Sequence, residues 1–197
     1  DMIQDVTLYK SGIPARYGGR ISSVMDIALK EGTKEKVNVS GGISPFMGRI
    51  MVEAPLLKKK SSFILSARST FSDWILKLLD DIKLKNSRAS FNDLQGLYTI
   101  DLNKKNSLSI SGYLSHDNFD YYRQNDMHYS NFSSTLRWRH SFSQKLISQI
   151  SAIVSNYDYN LTTKDDSTTA NTLRYKLNQR IFRADFTWYK DDRNKIE

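Results

Sequence analysis

The sequence contains no cysteine, and its 197 residues include only three prolines and nine glycines. The absence of cysteine excludes a disulfide framework and a thiolate metal site, and it leaves the redox compartment undetermined. Glycine and proline are too scarce for a collagen-like or low-complexity chain. No stretch approaches the roughly 18 consecutive apolar residues that a membrane-spanning helix requires. These absences exclude a helical membrane protein but not one built of strands.

Apolar residues are scarce as well. Hydrophobic residues make up 39% of the sequence, and the mean hydropathy of −0.53 is low for a water-soluble α/β enzyme of this length. Aromatic residues, by contrast, make up 12% of the sequence, a composition that suits strands. A solvated sheet, or a barrel with a wet interior, fits this balance better than a protein with a large dry core.

Negative charge is in the minority, with 21 acidic residues against 29 lysines and arginines and a net charge of +8. Such an excess would suit a nucleic-acid-binding protein, because phosphate groups attract cations. The basic residues nevertheless fall in short clusters, such as residues 58–60 and 104–105, between segments with a strand pattern. Solvated turns explain this placement, and we expect no nucleic-acid partner. A soluble β-protein that binds polyanions remains an alternative.

Alternation of apolar and polar residues recurs from residue 36 onward, which is the pattern of strands with two different faces. Among the apolar positions, we expect Val37, Leu108, Ile110 and Phe186 to face lipid. The pattern predicts about eight strands, within residues 37–43, 49–54, 63–68, 94–102, 108–114, 132–139, 149–155 and 182–188. We expect several of these strands to run to ten residues or more, near the roughly 9–11 that a tilted strand needs to cross a bilayer.

The predicted connections alternate in length, with the tight turn at Pro45 as the exception. Short connections lie near residues 57–61, 103–106, 141–144 and 190–194, and long polar ones lie near 71–88, 116–128 and 158–173. Outer-membrane barrels alternate short and long connections in this way. Aromatic residues close to predicted strand ends fit an interfacial girdle: Tyr113, Phe142, Tyr157, Tyr159 and Tyr189. The sequence therefore predicts an all-β chain that forms part of a transmembrane antiparallel β-barrel, closed alone or within a larger barrel.

Residues 6–27 follow a different pattern, which predicts a strand, a turn and a second strand. Gly12 and Pro14 favour a turn, and residues 18–19, both glycine, permit positive φ or a close backbone approach. Val24 and Ile27 begin the second strand. We expect a compact unit that does not cross a membrane.

This segment resembles the C-terminal end of the plug domain of TonB-dependent receptors, in which a strand, a Lys/Arg-x-Gly-x-Pro-Ala-x-Tyr-Gly-Gly turn and a second strand lead into the barrel. The residues at the matching positions are Lys10, Gly12, Pro14, Ala15, Tyr17, Gly18, Gly19 and Arg20. Residues 22–27 look like the variant found in receptors of the nutrient-importing type. Residues 53–58 and 68–71 also look like that family.

The resemblance implies two regions: the end of a plug domain and its linker at residues 1–33, and the N-terminal portion of a barrel at residues 34–197. It implies an outer-membrane location and energised uptake of a scarce, bulky nutrient of the siderophore, glycan or peptide class. The implied partners are outer-membrane lipid, a TonB-type energy-coupling protein that would act through an N-terminal part absent from this sequence, and a surface lipoprotein.

The sequence departs from the family pattern by omission, since it lacks a TonB box, an early plug and enough strands for a 22-stranded barrel. Residues 1–4 also lack the basic and apolar regions of a signal peptide. We therefore expect the chain to be a piece of a longer protein. A passive outer-membrane channel or an adhesin is the alternative function.

Three further features have a functional and a structural interpretation. The apolar stripe of Phe71, Trp74, Ile75, Leu78, Leu79 and Ile82 predicts an amphipathic helix, capped by Ser72 or Asp73. That helix would lie over the plug or grip a partner lipoprotein, or it would only pack against the barrel rim. Tyr121, Tyr122 and Arg123 lie in a predicted outer loop, where they would contact the ligand or only pack in a solvated loop.

No chemistry of the enzymatic kind is indicated. The sequence has no strained nucleophile motif and no paired carboxylates of defined spacing, so we expect neither catalytic residues nor a cofactor. His116, His128 and His140 are too scattered for a metal cluster, and we assign no metal site.

Overall fold

The computed structural model describes residues 2–19, 22–57, 59–122, 124–164, 170–191 and 194–196. Its elements in chain order are β1 (Ile3–Tyr9), β2 (Val24–Leu29), β3 (Asn38–Ile43), β4 (Met47–Ala54), β5 (Ser61–Thr70), α1 (Asp73–Leu78), α2 (Ile82–Lys85), β6 (Arg88–Asn103), β7 (Asn106–Tyr121), β8 (Asn125–Ser141), β9 (Leu146–Thr163), β10 (Asn171–Tyr189) and β11 (Lys195–Ile196). A single 3-10 turn spans Ala15–Tyr17.

In this described part of the chain the strands form two sheets. Strands β1 and β2 pair with each other, and β3 to β11 form a nine-stranded sheet whose neighbours follow sequence order and pair antiparallel. The eight predicted strands are confirmed in position, and β11 is an additional short one. Among the described residues β3 and β11 are the two edges, so the large sheet is open.

The five strands from β6 to β10 are much longer than predicted, at 16 to 19 residues each. The predicted long connections at residues 116–128 and 158–173 are therefore wrong. Strand β7 continues to Tyr121 before β8 begins at Asn125, and β9 continues to Thr163 before β10 begins at Asn171. The pattern did not predict these strand ends, because polar residues there replace the apolar residues of the alternation.

The register assigns each residue of the large sheet to one of two faces. We call the face that carries Leu94, Ile110 and Trp138 the front, and the opposite face the back. Large apolar side chains of the front form a band across the sheet: Leu65, Leu94, Leu108, Ile110, Leu114, Phe132, Leu136, Trp138, Ile150, Val154, Phe182, Phe186 and Trp188. The back carries polar and charged residues across the same width: Arg68, Asp93, Gln95, Ser111, Ser115, Arg137, Gln149, Ser151, Arg183 and Asp185.

On every long strand the apolar band gives way to a polar residue on the same face. On β7 it stops at Leu114, and His116 follows on the same face; on β10 it stops at Phe182, and Arg180 follows. The band is about seven to nine residues long on each strand, which corresponds to roughly 25 Å at ~3.3 Å per residue. Beyond it, the front face is polar up to the ends of the strands.

No second layer covers this band within the described residues. Ile110 is 48% exposed and Phe182 is 75% exposed, and the buried hydrophobic residues of the described chain are Met2, Ala54 and Ile64. A water-soluble sheet normally buries its apolar face against another layer. No helix in the described ranges is long and apolar enough to cross a membrane.

The β1–β2 unit and the linker after it lie on the back face. Gly32 is buried, and a Cβ on it would lie 2.9 Å from Cγ1 of Ile64 and 3.1 Å from Cβ of Ser62, two back-face residues of β5. The ammonium group of Lys34 pairs with the carboxylate of Asp101 on β6. The linker is therefore held against the polar side of the sheet.

The predicted helix at residues 71–82 is replaced by two short helices in the described structure. The chain leaves the helical conformation at Leu79, which is extended. Ser72 makes no capping bond and donates its hydroxyl to the Ala89 carbonyl instead (2.7 Å), whereas Asp81 caps α2. The apolar stripe is also not packed away, since Leu78 is 70% exposed.

Candidate functional site

The turn between β1 and β2 is built by residues with restricted or special backbone conformations. Gly12 and Gly19 have φ values of +63° and +75°, in the left-handed region that favours glycine. Between them, the amide of Tyr17 donates to the carbonyl oxygen of Pro14 (3.0 Å) and closes the 3-10 turn. The predicted strand, turn and strand are confirmed.

Tyr17 joins this turn to β2. Its hydroxyl donates to the carboxylate of Asp26, and the guanidinium of Arg16 lies 3.9 Å from the same carboxylate. Arg16 also donates to the hydroxyl of Tyr9 (3.3 Å), whose ring centroid is 5.6 Å from that of Tyr17. Partial burial raises the pKa of Tyr17, and the hydrogen bond and negative charge of Asp26 raise it further. Tyr17 therefore stays a neutral hydrogen-bond donor at physiological pH.

The same tyrosine touches the large sheet. The guanidinium carbon of Arg183, on the back face of β10, lies 5.6 Å from the ring centroid of Tyr17. Arg183 is itself oriented by Asp185, whose Oδ1 accepts from its Nε at 2.8 Å. The β1–β2 unit thus contacts β10, while its linker contacts β5 and β6 through Gly32 and Lys34. The unit and its linker together therefore contact the back face near both sides of the large sheet.

The other motif residues have simpler positions. Lys10, Ala15 and Gly18 are exposed, and Arg20 lies outside the described residues. The contact residues Tyr9, Arg16, Asp26 and Arg183 were not predicted. Asp26 was open to prediction, since it is a carboxylate between Met25 and Ile27 in a short apolar strand. Arg183 carried no such signal, because its contact with Tyr17 joins distant parts of the sequence.

The predicted ligand loop falls where β7 turns into β8, and the amide of Gln124 there donates to the carbonyl oxygen of Tyr121 (2.9 Å). Tyr121 is the last residue of β7, and Tyr122 has a positive φ of 52°, with its amide donating to the hydroxyl of Ser87 (3.0 Å). Arg123 lies outside the described residues. The ring of Tyr121 stacks on Phe119 on the back face, with centroids 6.2 Å apart. The structure thus places Tyr121 on a strand, as part of a larger aromatic surface.

That surface lies on the back face beyond the level of the apolar band. One row of paired residues crosses five strands there, and we call it the aromatic row: Phe91, Asp117, Tyr129, Tyr159 and Tyr175. The rings of Tyr129 and Tyr159 stack with centroids 4.8 Å apart, and the guanidinium of Arg68 lies 5.1 Å from the ring of Phe91. The row offers flat ring faces beside charged groups, which can bind a ligand by stacking and hydrogen bonding.

The placement of the row corrects one interpretation of the aromatic pattern. Tyr113, Tyr157 and Tyr159 were assigned to a girdle at the lipid interface, but they lie on the back face, opposite the apolar band. Trp138 and Trp188 are the large aromatic residues at the edge of the front-face band. The assignment failed because it used closeness to a strand end alone, whereas alternation along β7 and β9 puts these tyrosines on the face opposite Leu114 and Val154.

No protein-family model, curated protein or solved structure matches this chain. The resemblance of residues 6–27 to a receptor plug therefore stays a prediction from the motif. Among the described residues no group of three or more histidine or acidic side chains could hold a metal ion. What bears on function is the turn unit seated on the back face, the aromatic row and the two unlike faces of the sheet.

Proposed function

We propose that this chain is the plug end and the first barrel strands of an outer-membrane transporter of the TonB-dependent receptor type, which takes up a scarce, bulky nutrient by an energised mechanism. The observation that carries the proposal is the position of the β1–β2 unit. It sits on the polar back face of a sheet whose front face presents an uncovered apolar band. A plug inside a barrel and lipid outside it would require this arrangement of faces.

The front face supports the membrane part of the proposal. The apolar band, seven to nine residues long on each strand, comes close to the roughly 9–11 residues that a tilted strand needs to cross a bilayer. In lipid every backbone amide needs a partner, so the open edges at β3 and β11 would pair with further strands of a larger barrel. The polar extension of the long strands beyond the band would then stand in water on the side of the helices.

The back face supports the lumen part. Two ion pairs lie on it within the sheet: Arg68 with Asp93, whose closest nitrogen and oxygen atoms lie 2.6 Å apart, and Arg183 with Asp185 at 2.7 Å. The turn unit contacts β10 through the cation–π pair of Tyr17 and Arg183, an interaction worth about 0.5–2 kcal/mol. A contact of this strength holds the turn unit in place at rest and breaks when an energy-coupling partner pulls on the chain.

The aromatic row supports the ligand part. It faces the same side of the sheet as the turn unit but lies beyond the level of the band, where a ligand would arrive before it reaches the unit. Replacing both Tyr129 and Tyr159 by alanine is expected to weaken ligand binding by about five-fold or more, since one aromatic ring stacked on the ligand contributes ~1 kcal/mol beyond its buried area. Phenylalanine at both positions keeps the rings and is expected to retain most of the affinity.

A cross-linking experiment tests the moving unit. The chain has no cysteine, so Tyr17→Cys with Arg183→Cys introduces one defined pair that a short, cleavable thiol cross-linker can join in the full-length protein in cells. We expect the cross-linked protein to bind ligand but not to import it, and import to return after the linker is cut. The two single-cysteine variants, treated with the same reagent, are the controls.

The alternative of a passive channel gives the opposite results. Uptake by the wild-type protein would then continue after the proton gradient of the inner membrane is collapsed, and the cross-link would leave it unchanged. Either result would overturn the proposal of energised transport while leaving the membrane barrel intact.

A further inference from the structure

The connections β4–β5, β6–β7, β8–β9 and β10–β11 lie on one rim of the large sheet, and each of them carries lysine. Lys59 and Lys60 lie between β4 and β5, residues 104–105 (both lysine) between β6 and β7, Lys145 between β8 and β9, and Lys190 directly after β10. We call these six residues the lysine rim. All six are exposed.

Backbone hydrogen bonds fix these turns in line with their neighbours. The carbonyl oxygen of Lys60 accepts from the amide of Asp101, that of Lys105 from Ser141, and that of Lys145 from Tyr189, each at 2.8 Å. Successive turns on the rim are two strands apart, a spacing of roughly 10 Å. The lysines therefore form an ordered row rather than independent mobile loops.

The row borders the apolar band directly. Trp138 and Trp188 end the band on this side, and the indole nitrogen of Trp138 donates to Oδ1 of Asn106 at the start of β7 (3.1 Å). Phe142, in the turn after β8, is 51% exposed and packs edge-on against His140 with centroids 4.4 Å apart. Tryptophan and other aromatic residues with one polar and one apolar side are typical of the boundary between hydrocarbon and headgroups.

The positive charge of the row is not neutralised by ion pairs in the described part of the chain. None of the six ammonium groups forms one there; that of Lys145 donates to the carbonyl oxygen of Lys190 (3.4 Å). Near the opposite rim acidic and basic residues are interleaved, as in the helical connection between β5 and β6, which contains Asp73, Lys77, Asp80, Asp81, Lys83 and Lys85. The two rims therefore differ in charge.

We propose that the lysine rim binds the phosphate groups of anionic phospholipids in the leaflet that it faces. The inference rests on the membrane placement in the proposed function, but not on transport. Lysine stems can lie along the apolar edge while their ammonium groups reach the headgroup phosphates. Basic residues at a membrane surface attract anionic lipid, each with about 1 kcal/mol, which corresponds to roughly five-fold in affinity.

The test compares two variants that lose the same charge at opposite rims. The rim variant is K60Q/K105Q/K145Q/K190Q, and the control is K77Q/K83Q/K85Q/K164Q. Each full-length protein is placed in bilayer discs that contain phosphatidylglycerol and phosphatidylcholine, and the lipid that stays bound after transfer to detergent is quantified by mass spectrometry.

We expect the wild-type protein and the control to retain phosphatidylglycerol over phosphatidylcholine, and the rim variant to lose at least ten-fold of that preference. Equal preferences in the two variants, or none in the wild type, would overturn the inference. Displacement of the bound lipid by soluble glycerol phosphate at equal concentration would also overturn it, because the site would then recognise free phosphate rather than a membrane.

The same measurement separates this inference from the proposed function. A wild-type protein that enters phosphatidylcholine discs without any preference for the anionic lipid contradicts only the lysine rim. A wild-type protein that enters no bilayer contradicts the membrane placement, and the lysine rim with it.

Discussion

Tyr17 contributes to two contacts at once, and its two chemical parts can be separated. Its hydroxyl donates to Asp26 within the turn unit, and its ring contacts Arg183 on the large sheet. Tyr17→Phe therefore removes the internal bond and keeps the ring that meets the sheet. The turn unit should become less stable internally, while the cation–π contact between the ring at position 17 and Arg183 on β10 persists.

The raised pKa of Tyr17 predicts how the unit responds to alkali. Below about pH 10, the usual pKa of tyrosine, both the seated and the released turn keep the proton, so the stability of the unit does not change with pH through this group. Above that value the released turn loses its proton first, and stability falls as the pH rises through the raised pKa of the seated form. Amide hydrogen exchange of residues 15–19 measures this loss.

Tyr17→Phe is the control for the alkaline effect, because it has no proton to lose. After correction for the intrinsic effect of pH, its exchange rates should show no transition caused by residue 17 between pH 9 and about 11. A variant that loosens with the same pH profile as the wild type would assign the transition to another group.

Gly32 predicts a second residue-scale effect. In Gly32→Ala the new methyl group would meet Cγ1 of Ile64 at 2.9 Å, and overpacking of this kind costs about 1–3 kcal/mol. The linker should lift from β5, which protease cleavage within residues 30–37 would detect. Gly42→Ala is the matched control, because there the nearest atom, at 3.4 Å, belongs to the flexible side chain of Arg49. Equal cleavage of both variants would contradict the role of the Gly32 contact.

At this scale the motif could be predicted and its partners could not. Gly12, Pro14 and Gly19 determine the turn through their own backbone preferences, which the sequence states directly. The contact of Tyr17 with Arg183 depends on where β10 lies after folding, so no local pattern indicates it.

Among the strands, the two faces of the sheet predict opposite effects of the same substitution. Ile110 and Ser111 are neighbours on β7 that point to the front and the back, respectively. Arginine at position 110 would face lipid, at a cost of about 2–4 kcal/mol near the middle of the bilayer, whereas arginine at position 111 would face the polar side. The amount of folded full-length protein in the outer membrane should therefore fall for Ile110→Arg and change little for Ser111→Arg. Equal loss in both variants would contradict the assignment of the faces.

The strands also show where a sequence pattern stops being informative. Within the band, alternation of apolar and polar residues located all eight predicted strands. Beyond it the front face turns polar, as at Asn118 and Asp158, while aromatic residues such as Tyr129 occupy the back. If apolar residues are assumed to mark the same face along a whole strand, the pattern predicts polar loops at these strand ends. The hydrogen-bonded ladder continues because the backbone pairing does not depend on which face is apolar.

For the molecule as a whole, the uncovered band and the two open edges predict how the 197-residue chain behaves when expressed alone. Without detergent or lipid it should aggregate through its front face and through unpaired strand edges. Sedimentation with and without a mild detergent measures this directly. A monodisperse chain in plain buffer would favour the alternative of a soluble β-protein that binds polyanions, which salt-dependent binding to heparin would then reveal.

The direction of β1 relative to β2 has a mechanical consequence. Ile3, at the start of β1, pairs with Leu29 at the end of β2, and the amide of Lys30 donates to the carbonyl oxygen of Met2 at 2.8 Å. A pull on the chain before β1, resisted by the linker at Gly32, loads the pair from one end, as a zipper is loaded. The rungs then open singly from Ile3 towards Tyr9, so that the force needed at any moment is that of one rung rather than of the whole ladder. The Tyr17 contact lies at the far end of this zipper and would be the last to open, so a small force applied over a long distance is enough to clear the back face.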